Sequence, residues 1–445
     1  MKKNFIKSTL ILLVGGFITK VLGMVIKIIM AREISTEGLG LYMLVLPTFM
    51  LLINLSQFGF PLSLAKLISE ERRNTKNLFF SILPILIIIN LIIGTLLIVF
   101  APYISTNLLH NKDTHYSIIS IAFVLPFTTI SSIARSYFFG HEKMIPHIVS
   151  NITEDIVRLI VIKVGIKHFL PFGLKYIVSF LILANVLSEI AATCVLIIFL
   201  PKKIKIQKTD LIPNKTYIRE SLKISIPTTS SRLIGSIGLF LEPIILTKVL
   251  LQAGYKAQII AKEYGIITGY VLPLILLPSF FTLAISQALL PTLTKEYKNK
   301  NIKNTTKIII IAVILSLLIG IPTTILLEIN PHFFLQKIYH TTKGTSYIRV
   351  LAPFCLLQYI QSPLASSFDA LGKSKDNLTA VIIGTIVRIL TLYLSSFLKI
   401  GIWSLIISLC LNIITTTTYQ IIKINLYLKK QKKNKVFHIK YTNII

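Results

Sequence analysis

Two short segments of the chain place a cation within apolar sequence, and they repeat each other in order. The first segment, T-K-V-L-G, occupies residues 19–23, and the second, S-R-L-I-G, occupies residues 231–235. Each lies inside a hydrophobic run long enough to cross a bilayer. A cation surrounded by hydrocarbon is costly unless it faces water or a partner. Lys20 and Arg232 therefore predict a hydrated internal site in a duplicated chain.

Two further cations share this setting. Lys27 follows Lys20 by seven residues and hence lies on the same face of the first helix. Arg388, like Lys20 and Arg232, lies roughly 12–18 Å into its span at a helical rise of about 1.5 Å per residue. A side chain at that depth reaches the headgroup layer only under strain. The predicted substrate-binding cations of the cavity are Lys20, Lys27, Arg232 and Arg388.

The remaining charged residues of the predicted spans include several acids. The candidates for ion coupling or for internal ion pairs are Glu154, Asp155, Arg158, Glu189 and Glu242. Glu154 and Arg158 are four residues apart with the acid first, which is the favoured orientation for a helical pair. Arg135 and Arg349 lie nearer the ends of their spans, and we predict that they reach the headgroup layer rather than bind substrate. Because bases outnumber acids, the cavity is predicted to attract an anion such as a phosphate or pyrophosphate headgroup.

The composition is that of a membrane protein. Of the 445 residues, 53% are hydrophobic and 14% are charged, against about 45–50% and about 25% in soluble domains. The mean hydropathy is +0.76. The apolar runs predict an all-α polytopic membrane protein with about twelve transmembrane helices. These spans are expected near residues 8–30, 39–62, 78–101, 117–138, 146–166, 177–200, 222–248, 264–290, 307–328, 347–368, 377–398 and 402–426.

The formal net charge of +30 is concentrated in segments predicted to lie on one side of the membrane. These segments contain Lys66, Arg72, Arg73 and Lys76, then Lys202, Lys203, Lys205, Lys208, Lys215 and Arg219, then residues 295–303 and the tail. The asymmetry predicts a multi-pass protein of the cell membrane with both termini in the cytoplasm. It also accounts for the basic charge without a nucleic-acid partner. The N-terminal run is predicted to be the first span rather than a cleaved signal peptide, because it is long and contains Lys20.

The polar, lysine-rich segment after the sixth span is the predicted domain boundary. The predicted division is an N-terminal six-helix bundle at 1–205, a cytoplasmic linker at 206–220, a C-terminal six-helix bundle at 221–428 and a basic cytoplasmic tail at 429–445. An even number of spans in each half gives two pseudo-symmetric bundles related by an axis along the membrane normal. A further repeat supports the duplication, since G-H-E-K at 140–143 precedes Arg158 much as G-K-S-K at 372–375 precedes Arg388.

Signatures of enzymes are absent from the sequence. It contains no phosphate-binding P-loop, no zinc-protease H-E-x-x-H and no nucleophile elbow. Three cysteines without C-x-x-C spacing predict no disulfide framework and no metal site. The histidines, including His141 and His147, are interpreted as polar loop residues. We predict a transporter rather than an enzyme, with no cofactor.

An ordered series of motifs resembles a known family. In the first half the motifs are K-V-L-G with Lys27, E-G-L-G-L-Y at 37–42, G-F-P-L-S-L-A-K-L at 59–67 and Y-F-F-G-H-E-K-M-I-P at 137–146. In the second half they are Y-G at 264–265 with Gly269, L-P at 277–278, A-L-L-P at 288–291 and L-G-K at 371–373. On these motifs the chain is identified as a member of the stage V sporulation protein B-like group of polysaccharide biosynthesis proteins. That group belongs to the multidrug/oligosaccharidyl-lipid/polysaccharide (MOP) exporter superfamily, which also contains lipid II flippases.

The resemblance implies two six-helix bundles around a V-shaped central cavity that alternates its access. It implies a flippase for a polyprenyl-pyrophosphate-linked glycan or peptidoglycan precursor, in contact with membrane lipids and with partners in cell-wall or spore-cortex synthesis. Lys20, Lys27 and Arg232 match the basic cavity positions of the family. Many relatives have fourteen spans, and their additional pair of helices is thought to hold the polyprenyl tail. How a chain with twelve spans holds that tail is therefore open.

Two other functions stay open at this point. A multidrug or cation antiporter of the same fold needs Glu154, Asp155, Glu189 or Glu242 exposed in the cavity as a proton or sodium site. A membrane scaffold or glycan-polymerising enzyme needs acidic or nucleophilic residues in large outer loops, and the loops here are short.

Overall fold

The computed structural model describes residues 2–70, 74–200, 212–398 and 400–442, and all regular structure in these ranges is helical. Several bases of the predicted cytoplasmic segments lie outside the described residues, namely Arg72, Arg73, Lys202, Lys203, Lys205 and Lys208. The chain divides into two compact units, Met1–Gly269 and Tyr270–Ile445. The predicted domains at 1–205 and 221–428, with their linker and tail, stay a prediction.

The described residues of the first unit form nine α-helices. They are α1 (Lys2–Glu33), α2 (Thr36–Gln57), α3 (Phe60–Ser69), α4 (Thr75–Tyr103), α5 (His115–Gly140), α6 (Met144–Phe169), α7 (Leu174–Ile198), α8 (Lys215–Gln252) and α9 (Ala257–Gly265). A π-helical segment, Ile266–Val271, follows α9. Helix α5 packs on α7, α6 packs on α7 and α1, and α2 packs on α5, α8 and α9.

The described part of the second unit contains two short helices and five longer ones. They are α10 (Leu272–Ile275), α11 (Ser279–Lys298), α12 (Ile302–Ile329), α13 (Pro331–Tyr339), α14 (Thr345–Ala370), α15 (Ser374–Leu394) and α16 (Trp403–Thr442). Its core lies between α11, α12, α14 and α16. Tyr359 is fully buried there, and its Oη donates to the carbonyl oxygen of Ile275 at 2.6 Å. Gly320 allows this ring to pack against α12, since a Cβ at Gly320 would lie 2.4 Å from it.

Within the described residues, nine helices are long and apolar enough to cross a membrane. A tenth span is the bent pair 257–275 and 279–298, whose halves meet at 50°. The bend is at Pro278, which cannot donate a helical hydrogen bond. The two remaining predicted spans coincide with α6 and α14, each of 26 residues. Both helices are long enough to cross a membrane but are more polar than the other predicted spans. Helix α6 carries five charged residues, and α14 carries Gln358 and Gln361.

Polar residues set the ends of the helices around the candidate site. The Ser35 hydroxyl accepts from the backbone N–H of Gly38 at the start of α2, and the Asn74 side chain accepts from two N–H groups at the start of α4. Gly59 separates α2 from α3 with φ +63°, and a Cβ there would lie 2.7 Å from Thr229 Oγ1 of α8. The predicted span at 39–62 is therefore interrupted, because only glycine combines this backbone angle with this close packing.

Candidate functional site

Three neighbouring helices of the first unit hold a network of five charged side chains. Arg135 of α5 donates from Nη2 to Glu154 Oε2 of α6 at 2.5 Å and to Glu189 Oε2 of α7 at 3.1 Å. Arg158 of α6 donates from Nη2 to Glu154 Oε1 and from Nη1 to Asp155 Oδ1 at 3.3 Å. The network thus brings together four of the predicted ion-pairing residues, Glu154, Asp155, Arg158 and Glu189, and adds Arg135.

The network is largely buried and nearly neutral. The side chains of Arg135, Glu154 and Glu189 are 15%, 13% and 8% exposed. Three carboxylates face two guanidinium groups, so the charges almost balance. Charges removed from water require such partners, and loss of one partner leaves an uncompensated charge in a medium of low polarity. The carboxylates of this network are therefore engaged by arginine and are poorly suited to bind a cationic substrate.

The structure corrects the prediction for Arg135. Its side chain does not extend to a headgroup layer, because two carboxylates on adjacent helices hold it inside the unit. The sequence missed this role, since Glu154 and Glu189 follow Arg135 by 19 and 54 residues. Arg349, the other residue with that prediction, is exposed near the start of α14, and its role stays a prediction.

The two predicted lysines of α1 differ from the arginines of the network. Lys20 and Lys27 are both exposed and form no ion pair within the part of the chain that the structure describes. Lys20 is close enough to Asp155 and to Lys27 for their charges to interact. Helix α1 packs tightly against α6 at Gly15, because a Cβ at this position would lie only 2.3 Å from the Ile148 side chain. The packing of α1 on α6 therefore carries Lys20 to the edge of the network.

Arg232 of α8 lines a pocket of about 270 Å³ in the first unit. The lining also includes Arg135, Ser132, Ser136, His147, Pro61, Leu62, Ala65 and Phe139. Arg232 is exposed and, among the described residues, forms no ion pair. Two guanidinium groups, an imidazole and the Ser132 hydroxyl around one small space are suited to a phosphate-like anion, whereas the Ser136 hydroxyl already donates to the carbonyl oxygen of Ser132. We call this space the basic pocket.

His147 is a pocket residue that sequence reasoning assigned to a loop, and that interpretation is wrong. It lies on α6, is half-buried, and its Nδ1 has no hydrogen-bond partner among the described residues. The spacing of charged and polar residues along α6 does predict the position of His147. His147 precedes Glu154 by seven residues and Arg158 by eleven, which places all three on one helical face.

Glu242 and Arg388 are not among the residues that line the basic pocket. Glu242 of α8 is buried and accepts a hydrogen bond from Tyr264 Oη of α9 at 3.2 Å. Arg388 is half-buried on α15 of the second unit. The roles predicted for both residues stay predictions.

Comparison with known proteins assigns the chain to a family. The family model described as "Polysaccharide biosynthesis protein" matches residues 5–296, which is more than half of the chain. The chain belongs to the polysaccharide biosynthesis protein family. A second model, described as "MatE", matches residues 264–394. The resemblance predicted from the motifs is thereby confirmed.

Two relatives in Bacillus subtilis (strain 168) extend this result. The chain is 35% identical to Stage V sporulation protein B over 397 residues, which cover 87% of this chain and 77% of that protein. It is 23% identical to Lipid II flippase MurJ over 425 residues, which cover 87% of this chain and 77% of that protein. The chain is therefore a polysaccharide biosynthesis family member similar to proteins of a flippase and exporter superfamily.

A solved structure shares the fold. It is the inward-facing conformation of a multidrug resistance MATE family transporter of the MOP superfamily. Its TM-score is 0.73 at 15% identity, with 93% of this chain and 96% of that chain covered. This likeness confirms the predicted all-α, multi-pass membrane fold of the MATE/MOP type.

Proposed function

We propose that this protein is a flippase that moves a lipid-linked oligosaccharide or peptidoglycan precursor across the cytoplasmic membrane by alternating access, in cell-wall or spore-cortex synthesis. Its termini face the cytoplasm, and Lys20, Lys27 and Arg232 bind the anionic pyrophosphate headgroup. One observation carries the proposal. These three cations are exposed and form no ion pair within the described residues, whereas Arg135 and Arg158 are held by carboxylates.

The basic pocket supports the anionic nature of the substrate. Arg232 and Arg135 line it from α8 and α5, and the Ser132 hydroxyl and His147 add hydrogen-bonding groups. A guanidinium group binds phosphate oxygens with paired N–H donors, which a neutral sugar does not require. The volume of about 270 Å³ fits a compact anionic group rather than a whole oligosaccharide. The sugars and the lipid chain therefore lie outside this pocket.

The sign of the available charge favours this function over a cation antiporter. An exporter of cations needs carboxylates that a cation can reach, and Glu154, Asp155 and Glu189 already face arginine. Glu242 is 3% exposed. The relatives that match the chain include a lipid II flippase, which is consistent with a lipid-linked substrate for this chain as well.

The test is translocation of a lipid-linked precursor in proteoliposomes that contain the purified protein. We expect Lys20→Ala and Arg232→Ala each to reduce translocation at least tenfold, since a hydrogen bond to a charged group contributes about 1.5–3 kcal/mol. Arg349→Ala is the matched control, because Arg349 is an exposed arginine of the second unit, and this variant should leave the translocation rate unchanged.

A membrane potential imposed on the proteoliposomes tests whether translocation moves net charge, because moving one charge across 100 mV changes the free energy by about 2.3 kcal/mol. Normal translocation by both cavity variants overturns the proposal. Efflux of cationic drugs that disappears in Glu242→Gln favours the antiporter.

A further inference from the structure

A groove between α4, α5 and α7 combines an apolar interior with a basic end. It has a volume of about 420 Å³, and Phe79, Phe80, Tyr137, Ile197 and Leu200 form most of its apolar lining. Lys76 and His141 also line it. Ile197 is 58% exposed, so the groove borders the outer surface of α7. We call it the α4–α5–α7 groove.

The groove is separate from the basic pocket. Both are lined by α5, the basic pocket by residues 132, 135, 136 and 139 and the groove by residues 134, 137, 138 and 141. Each groove residue follows a basic-pocket residue by two positions. In a helix of 3.6 residues per turn, two positions correspond to a rotation of about 200° around the helix axis. The two sites therefore lie on opposite faces of α5, and a molecule in the groove does not occupy the headgroup site proposed above.

Charge distinguishes the groove from an ordinary apolar depression. Lys76 lies in the first turn of α4, where the helix dipole adds partial positive charge. The same first unit contains a pocket of about 520 Å³ whose lining, which includes Phe123, Phe127 and Val186, is wholly apolar. That pocket provides space for a hydrocarbon chain without any site for a headgroup. The groove places the Lys76 side chain beside its apolar lining, and this is the complement of an anionic amphiphile.

We propose that the α4–α5–α7 groove binds an anionic phospholipid of the bilayer. The phosphate lies against the Lys76 ammonium group, and one acyl chain lies between Phe79, Phe80 and Ile197. This lipid is a resident ligand of the first unit and not the transported substrate. Its position beside the first turn of α4 agrees with the predicted cytoplasmic face, where basic segments meet anionic headgroups.

A site-specific fluorescence experiment tests the proposal. The chain has a single tryptophan, Trp403, so Trp403→Phe combined with Leu200→Trp leaves one reporter in the groove. The probes are brominated phosphatidylglycerol and brominated phosphatidylcholine, added to the purified full-length protein in detergent. We expect phosphatidylglycerol to quench this reporter with at least fivefold higher affinity than phosphatidylcholine. The matched reporter, Val186→Trp in the apolar pocket, should show no preference between the two lipids.

Side-chain variants then separate the headgroup from the chain. Lys76→Gln should abolish the preference for phosphatidylglycerol at the groove reporter, and Lys76→Arg should retain it. Lys215→Gln removes one positive charge from the exposed start of α8 and should leave the preference intact. Ala134→Phe should weaken the binding of both lipids, because the ring fills the groove. Thermal unfolding of each variant confirms that the fold is retained.

Three outcomes overturn the proposal. They are equal quenching of the groove reporter by both lipids, an undiminished preference in Lys76→Gln, and displacement of phosphatidylglycerol by low concentrations of a polyprenyl phosphate, which would assign the groove to the transported lipid. The measurement does not depend on translocation, so its failure is distinct from failure of the proposed flippase function.

Discussion

Arg135 and Arg232 line the same pocket but differ in how their charges are balanced. Arg135 is held by Glu154 and Glu189, whereas Arg232 is exposed and forms no ion pair in the described part of the chain. The first arginine therefore stabilises the packing of α5 on α6 and α7, and the second is the one that the proposed function assigns to the anionic headgroup. This difference separates variants that affect stability from variants that affect binding.

Arg135→Ala is expected to destabilise the protein. The substitution leaves Glu189, whose side chain is 8% exposed, without its arginine, and loss of one partner of a buried pair costs about 3–5 kcal/mol. The measurement is thermal unfolding of the purified protein in detergent. The double variant Arg135→Gln/Glu189→Gln should recover part of the loss, because two neutral amides replace the charges. A stable single variant would show that the pair contributes little.

Arg232→Ala is expected to change binding and not stability. Its side chain is exposed, so the unfolding temperature should move by less than that of Arg135→Ala. Binding of inorganic pyrophosphate, measured by calorimetry, should weaken about tenfold because one charged donor is lost. Arg349→Ala serves as the control, with unchanged affinity. Equal pyrophosphate affinity of Arg232→Ala and the parent would exclude Arg232 from the anion site.

Glu154 and Arg158 should be energetically coupled. The pair lies four residues apart on α6, and Arg158 also donates to Asp155. A double-mutant cycle of Glu154→Gln and Arg158→Gln should give an interaction free energy of about 0.5–3 kcal/mol, measured by unfolding. A parallel cycle of Arg158→Gln and Glu242→Gln should be additive, since Glu242 bonds Tyr264 on another helix. Additivity in the first cycle would argue against an interaction within α6.

Gly40→Ala should be strongly destabilising. A Cβ at Gly40 of α2 would lie 2.0 Å from the carbonyl oxygen of Ala261 in α9, and backbone cannot move as a side chain does. Overpacking of this kind costs about 1–3 kcal/mol. Gly23→Ala is the matched control, because its Cβ would have no neighbour within 4 Å, and it should be neutral or slightly stabilising. Similar unfolding temperatures for the two variants would contradict the close approach of α2 and α9.

Local sequence properties are sufficient to predict the long helices and the pairing within α6. Hydropathy is a property of consecutive residues, so each of the twelve predicted spans overlaps a long helix or the bent pair of helices, although the span at 39–62 is divided at Gly59. The Glu154–Arg158 pair depends only on helical spacing. Lys20 and Arg232 are exposed, and the hydrated internal site predicted from their repeated motifs stays a prediction.

The contacts between charged groups on different helices depend instead on the tertiary structure. Arg135 meets carboxylates that are 19 and 54 residues away, and His147 enters the basic pocket beside Arg232, 85 positions later in the chain. No local pattern encodes such contacts, because they depend on how α5, α6, α7 and α8 pack. The same packing places Lys76 beside the apolar groove. Local periodicity predicts where a side chain lies along its helix, whereas helix packing selects the groups that it meets.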